Sequence, residues 1–192
     1  MSKKKIFTIQ IVLFTLLFAK TCLASLQEDL INKLKETKTL TFTFKQIIAE
    51  KEESGKCYIK YPLLMKCNYK NLKEKSIISN GKTVAIIKKK YKKIYYYPLK
   101  STPLFTILNK KKILNLIKNN KPNKIVSNLI EFEFINKKTD KLKIYFDKNT
   151  LEFKGWKTKD AYSNDVTFII NNLVINNQII NNFFNIPNEE DL

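Results

Sequence analysis

Apolar residues recur along the chain with two different periods, and each change of period marks an element. Ser25 is followed three residues later by Glu28, the arrangement of a capping box, and Leu26, Leu30, Ile31 and Leu34 then repeat at helical spacing to about Thr37. This predicts a short amphipathic helix whose stripe packs on a core. From Thr39 the period is two: Leu40, Phe42 and Phe44 alternate with Thr41, Thr43 and Lys45, the pattern of a half-buried strand. Gly55 to Tyr69 reads as a β-hairpin. Cys57, Ile59 and Tyr61 share one face of its first arm and Met65, Cys67 and Tyr69 one face of its second, while Lys56, Lys60, Lys66 and Asn68 point the other way. Pro62 cannot donate to a ladder, so the reversal is placed at Pro62 to Leu64. A lone hairpin is marginal in water, so other strands must continue this apolar face.

They are visible downstream. Ser76 to Ser79 and Thr83 to Ile87 are β-branched runs joined by Asn80-Gly81, a strong hairpin signal. Lys88 to Lys93 forms a basic turn around Tyr91, and Ile94 to Tyr97 is a strand ended by Pro98. Thr102 as N-cap and Pro103 as first helical residue open a helix carrying Leu104, Phe105, Ile107 and Leu108; a second helical stretch, Lys112 to Lys118, stops at the break of Asn119 to Asn123. Ile130, Phe132 and Phe134 then alternate with Glu131 and Glu133, and Leu142, Ile144 and Phe146 with Lys143 and Tyr145. Pairing these through Asn136 to Asp140 puts glutamates and lysines on one outer face, where opposite charges stabilise the pair by roughly 0.2–1 kcal/mol each. Further strands suit Leu151 to Trp156, Val166 to Ile170, Leu173 to Ile175 and Phe183 to Ile186, with Asp, Gly and Asn at the joins, and Asn188 to Leu192 reads as a frayed tail. The fold class is mainly β with α: a long antiparallel meander, a helix before it and a helical insertion within it.

A chain of 192 residues, 44% hydrophobic, builds one sizeable core. That domain occupies 25–192, because the first 24 residues read as a secretory signal: Lys3 to Lys5, an apolar run from Ile6 to Ala19, and Cys22, Leu23 and Ala24 as a cleavage site. The apolar run is shorter than the ~20 residues of a membrane span. Lys20 and Thr21 stand before Cys22 where a lipid-anchoring signal carries small or apolar residues. The expected location is the periplasm. All basic residues are lysine, and cleavage lowers the formal charge from +19 to +15. Two readings of that charge stay open: drift of composition towards Lys, Asn and Ile, or attraction to an anionic surface or acidic partner through Lys88 to Lys93 and Lys110 to Lys112. Export argues against nucleic acid. With no histidine there is no Ser-His or Cys-His pair and no imidazole base, so no catalytic residues are assigned and the protein is not read as an enzyme. No metal site or cofactor is predicted, since two cysteines are at most half a zinc site. Cys57 and Cys67 lie opposite each other if the turn centres on Pro62, which predicts a disulfide in an oxidising compartment; two free buried thiols are the alternative.

Taken in order, these features resemble the bacterial outer-membrane lipoprotein carrier protein (LolA) family across nearly the whole of 25–192. The matches are Phe44-Lys45-Gln46 for the family's Phe-x-Gln, Gly55 to Tyr69 for its Gly, strand, Pro, strand, Ser79-Asn80-Gly81-Lys82 for its Ser-Asp-Gly-Lys, Thr102-Pro103-Leu104 for its Thr-Pro-apolar, and Phe184 to Pro187 near the end. The resemblance implies an unclosed, strongly curved antiparallel half-barrel with a helical lid, here Leu30, Leu34, Leu104, Phe105 and Leu108, over an apolar face formed by Leu40, Phe42, Phe44, Ile59, Tyr61, Met65 and Tyr69. It implies a monomeric periplasmic chaperone that shields acyl chains of lipoproteins. Its partners would be an inner-membrane ATP-binding-cassette lipoprotein-release transporter and an outer-membrane receptor or the outer membrane itself. A lipid or glycolipid carrier or an envelope-stress sensor of the same fold is the alternative, and a basic surface-binding protein with a filled core is the alternative from another class. Tyr61 stands where the family carries Arg, and Cys67 where it carries an aromatic. The family Arg is expected to hold the lid through hydrogen bonds; Tyr61, with one hydroxyl, is expected beside the lid helices with that hydroxyl near a lid carbonyl or side chain.

Overall fold

Among the described residues, eleven strands pair into one antiparallel sheet: β1 (Thr39–Ile48), β2 (Lys51–Lys60), β3 (Leu64–Tyr69), β4 (Lys75–Asn80), β5 (Thr83–Lys88), β6 (Lys93–Pro98), β7 (Lys124–Val126), β8 (Leu129–Ile135), β9 (Lys141–Asp147), β10 (Phe153–Lys159) and β11 (Asp165–Ile175). The computed structural model describes residues 26–70, 74–135, 141–160 and 162–192. The expected leader, the capping serine at 25 and the turn expected over 136–140 lie outside them. The strand order is β6-β5-β4-β3-β2-β1-β11-β10-β9-β8-β7. Two half-meanders therefore meet where β1 pairs with β11, and β6 and β7 are free edges, so the sheet stays unclosed. Three helices complete the fold: α1 (26–36), α2 (Leu104–Leu108) and α3 (Lys110–Asn119). The last two carry the chain from one sheet edge to the other.

The hairpin of β2 and β3 has the register its alternation predicts. Ile59 faces Met65 and Lys60 faces Leu64, so the turn is Tyr61 to Leu63, centred on Pro62, whose preceding peptide bond is cis. Cys57 is then directly opposite Cys67, and the two form a disulfide with Cα atoms 4.0 Å apart. One step towards the tail of the hairpin, Gly55 pairs with Phe44 of β1. A Cβ there would lie 2.1 Å from the Asn68 carbonyl oxygen and 2.7 Å from the Phe44 ring, so the missing side chain is the space the ring occupies.

That ring begins an aromatic series running across the inner face. Phe44 meets Tyr69 edge-on at 4.9 Å and stacks on Phe168 at 4.6 Å; Phe168 stacks on Trp156 at 3.9 Å, and Trp156 on Phe153 at 5.8 Å. Phe146, Phe132 and Phe134 continue it through centroid distances of 5.6, 6.2 and 6.4 Å. The apolar stripes of both half-meanders thus form one core together with Leu30, Leu34, Ile107, Leu108, Ile113 and Ile117 of the helices. On the outer face, Lys143 reaches Glu131 at 3.0 Å and Glu133 at 3.4 Å, the expected cross-strand pairing of β8 and β9. Loss of hydration opposes ionisation of Glu131, but hydrogen bonds from Asn123, Lys143 and Tyr145 outweigh it and hold the carboxyl below its ordinary range, while Tyr145 is pushed up to about 12 by burial and by the Glu131 charge.

Four sequence expectations change. Leu173 to Ile175 is not a separate strand: Asn171-Asn172, read as a join, is a bulge inside β11, with Asn172 at φ 50° and its amide donating to the Thr43 hydroxyl at 3.0 Å. Phe183 to Ile186 is not a strand; Asn181–Phe184 is a 3-10 turn, with Phe184 buried and Phe183 packed edge-on against Tyr58 on the outer face of β2. The tail is docked and not frayed: Ile186 and Leu192 pack on Ile78, Ala85, Ile87 and Ile94, and the Glu189 carboxylate accepts the free-edge N–H of Ile94 at 2.8 Å. Thr102 does not cap α2; its hydroxyl donates back to the Leu99 carbonyl at 2.9 Å.

Two measurements test the hairpin. Gly55→Ala forces its methyl into backbone and the Phe44 ring, and should lower stability by about 1–3 kcal/mol or more in urea unfolding. The Cys57→Ser/Cys67→Ser double variant should lose about 2–3 kcal/mol, the loop-entropy value for so short a bridge. An unchanged midpoint for either variant would contradict the corresponding role.

Candidate functional site: two helices over the apolar face

α1 and α3 lie antiparallel, tied at both ends. Near the start of α1, Gln27 donates its side-chain amide to the carbonyls of Ile117 and Asn120 at the end of α3. Near the start of α3, the Lys110 ammonium donates to the carbonyls of Lys35 and Thr37 at the end of α1, both at 2.9 Å. A helix leaves its last carbonyls unpaired and carries a partial negative charge there, so a cation is well placed. Loss of hydration, and then the charge of Lys38, lower the pKa of Lys110. Asn109 sets the entry of α3: it is extended, and its side chain accepts from the Lys112 N–H at 3.1 Å, which separates α2 from α3 and turns the chain between them.

The tip of the β2–β3 hairpin is where the helices meet the sheet. Tyr61 N–H donates to the Lys38 carbonyl just after α1, and Leu63 N–H to the Leu108 carbonyl at the end of α2, both at 3.0 Å; the Ser79 hydroxyl holds the Leu63 carbonyl at 2.7 Å. Asn176, beyond β11, accepts from Lys38 N–H at 2.7 Å and donates to the Glu36 carbonyl at 3.2 Å. At the other side Lys33 reaches the Thr150 carbonyl at 2.6 Å. These few polar contacts position helices whose remaining attachment is apolar.

Tyr61 packs on the main core, with the Lys110 ammonium 5.9 Å from its ring centroid. Its backbone makes the contact to the α1 end, and its hydroxyl makes no hydrogen bond among the described residues; burial raises its pKa. The expected hydroxyl contact with the lid is therefore replaced by backbone and ring contacts. Leu40, Phe42, Phe44, Ile59, Met65 and Tyr69 lie together on the inner face of β1 to β3, each at most 8% exposed, and are packed against one another in this state. Tyr69 also donates its hydroxyl to Gln46 at 2.6 Å. Of the residues expected in the lid, Leu30, Leu34 and Leu108 are buried, and Leu104 and Phe105 are partly buried against the same core. Sequence reasoning omitted the other half of this face, Phe132, Phe146, Trp156 and Phe168, although their alternation was in view. It also missed the tying roles of Gln27, Lys110 and Asn176, because a single polar residue carries no local signal of a partner distant in sequence.

A cleft of about 360 Å³ opens at the rim, between α2, α3 and the ends of β8 to β10, with Phe105, Leu116, Phe134 and Leu142 among its walls. Among the described residues no group of three or more His, Cys, Asp or Glu side chains is placed to hold a metal ion.

The family described as "Outer membrane lipoprotein carrier protein LolA" matches residues 35–187. The chain belongs to this family. No curated protein matches it significantly. Among solved structures, an uncharacterized conserved protein from Thermus thermophilus aligns with 10% identity over 85% of this chain and 94% of that one, with a TM-score of 0.52. A LolA superfamily protein from Nitrosomonas europaea aligns with 6% identity over 82% and 96%, at 0.43, and MucB, solved in complex with MucA(peri), with 8% identity over 84% and 60%, also at 0.43. Such likenesses concern the fold. Here the helices are tied by the side chains of Gln27, Lys33, Lys110 and Asn176 and by backbone groups of Tyr61 and Leu63.

Removing the Lys110 cation by Lys110→Met should loosen α1 and α3 by about 1–2 kcal/mol, discounted from the range for charged hydrogen bonds because the ammonium is partly hydrated. Hydrogen exchange should quicken in both helices and stay unchanged in β1 to β3. Tyr61→Phe, which keeps the ring and the backbone, should match the parent protein, whereas Tyr61→Ala should quicken exchange in α1. Slow exchange in Lys110→Met, or fast exchange in Tyr61→Phe, would refute this account.

Proposed function

We propose that this protein is a periplasmic chaperone that carries acylated lipoproteins from the inner to the outer membrane, acting as a monomer and without catalysis or a cofactor. The observation that supports the reading best is a continuous apolar face, spanning both halves of the sheet, covered by its own chain's helices through few polar contacts, in a chain of the LolA family. Burying a methylene is worth about 0.8 kcal/mol, so a ~16-carbon chain left in water costs on the order of 12 kcal/mol and needs cover. In the closed state Leu30, Leu34, Ile107, Leu108, Ile113 and Ile117 provide that cover for Leu40, Phe42, Phe44, Ile59, Met65 and Tyr69. When α1 and α3 lift, an acyl chain takes their place. Apolar burial is exchanged and not lost, so the opening need overcome only the polar ties and the ordering of the chain.

The protein holds no nucleotide-binding signature of its own, so energy for loading is assigned to an inner-membrane ATP-binding-cassette lipoprotein-release transporter, and unloading to an outer-membrane receptor or the outer membrane. The Cys57–Cys67 disulfide fits an oxidising compartment.

Mass spectrometry of species co-purified with the protein from the periplasm tests the cargo. Acylated proteins are expected. Free lipids alone would point to a lipid carrier of the same fold, and neither would leave a basic surface-binding protein with a filled core.

A further inference from the structure

The rim cleft combines apolar and cationic side chains. Its apolar lining includes Phe105 of α2, Leu116 of α3, and Phe134 and Leu142 of β8 and β9, beside Thr102, Thr106 and Thr158. Phe134 is also the last ring of the aromatic series that crosses the core, so the cleft leads to the same apolar face. Its lining also includes Lys100, in the 3-10 turn Leu99–Ser101, and Lys112, in the first turn of α3. No carboxylate lines the cleft among the described residues, and neither ammonium has an ion pair or hydrogen bond among them. The Lys112 ammonium lies over the Phe105 ring, 5.3 Å from its centroid.

We propose that this cleft is a binding site for an anionic acyl lipid, with the chain against Phe105, Leu116, Phe134 and Leu142 and the anionic head between Lys100 and Lys112. The inference rests on the carrier reading for the path of the chain and adds a preference for the charge of its head. Charge complementarity selects the occupant: two cations without an ionic partner among the described residues, in a cleft with an apolar wall, favour a carboxylate or phosphate head over a neutral one and repel a cationic one.

The test uses the exported protein and amphiphiles sharing a dodecyl chain, each below its micelle concentration, with binding measured by calorimetry. Dodecanoate or dodecyl phosphate should bind at least about tenfold more tightly than dodecanol, a difference set by charge-assisted contacts, and dodecyltrimethylammonium no more tightly than the alcohol. The stronger of the two anions identifies the source, a fatty acid or a phospholipid head. Lys100→Gln/Lys112→Gln should bring the anions down to the affinity of the alcohol and leave the alcohol unchanged. Lys111→Gln/Lys118→Gln, on exposed positions of the same helix, should keep the preference, which separates the site from the protein's overall positive charge. Thr106→Trp, placed on the wall of the cleft, should weaken every amphiphile. Equal affinity for all heads, equal loss in the Lys111→Gln/Lys118→Gln control, or unaltered binding in Thr106→Trp would each overturn the proposal. Acylated proteins co-purifying without head selection would remove this inference and leave the carrier reading; head selection without acylated cargo would do the reverse.

Discussion

An antiparallel sheet that remains open while presenting one continuous apolar face must have that face covered, and the rest of this structure follows from that constraint. Closure would hide the face inside a barrel; here β6 and β7 stay unpaired and the two half-meanders meet only at β1 and β11. Cover comes from helices placed at the two points where the chain can supply them, before β1 and in the passage from β6 to β7. The passage has to cross from one edge of the sheet to the other, and the inner face lies on that route. The free edge at β6 is handled separately, by the tail and Glu189.

Apolar and polar contacts divide the work of holding the helices. Hydrophobic burial is non-directional and roughly proportional to area, so it holds α1 and α3 against the face without fixing where they sit. Position comes from Gln27, Lys110 and Asn176 and from the backbone at Tyr61 and Leu63. Each such bond is worth on the order of 1 kcal/mol net, enough to specify one arrangement of the helices.

Much of this was legible in the chain because the period-two stripes are clean. Leu40, Phe42 and Phe44, and Ile130, Phe132 and Phe134, appear on the face their alternation predicts, and the symmetry of Cys57 and Cys67 about Pro62 gave the register. The errors arose where local signals serve two purposes. Asn-Asn commonly marks a turn, but an asparagine tolerates left-handed backbone equally well at a bulge, which is its role at Asn172. Phe183 to Ile186 has strand composition, yet composition says nothing of whether an edge is free, and the stretch docks on the outer face instead. The lid contacts were hidden for a further reason: they join residues such as Lys110 and Lys35 that are distant in sequence and belong to a composition already crowded with lysine.

That crowding obscured the chemical consequence of Tyr61. The resemblance places a cation at the hairpin, reaching from the sheet to the lid. This chain has its cation at Lys110, within the lid, and directs its hydrogen bonds to the end of α1. A donor on the sheet binds the lid to its seat; a donor on α3 binds the two helices to each other. Here the helices form one tied pair, Gln27 at one end and Lys110 at the other. Their hydrogen bonds to the rest of the fold are concentrated at the end of α1, at Lys38 and Glu36, and at Leu108, with Lys33 reaching Thr150 on the opposite side. The Lys110 cation therefore joins α3 to the end of α1, while the hairpin meets the helices through the backbone of Tyr61 and Leu63.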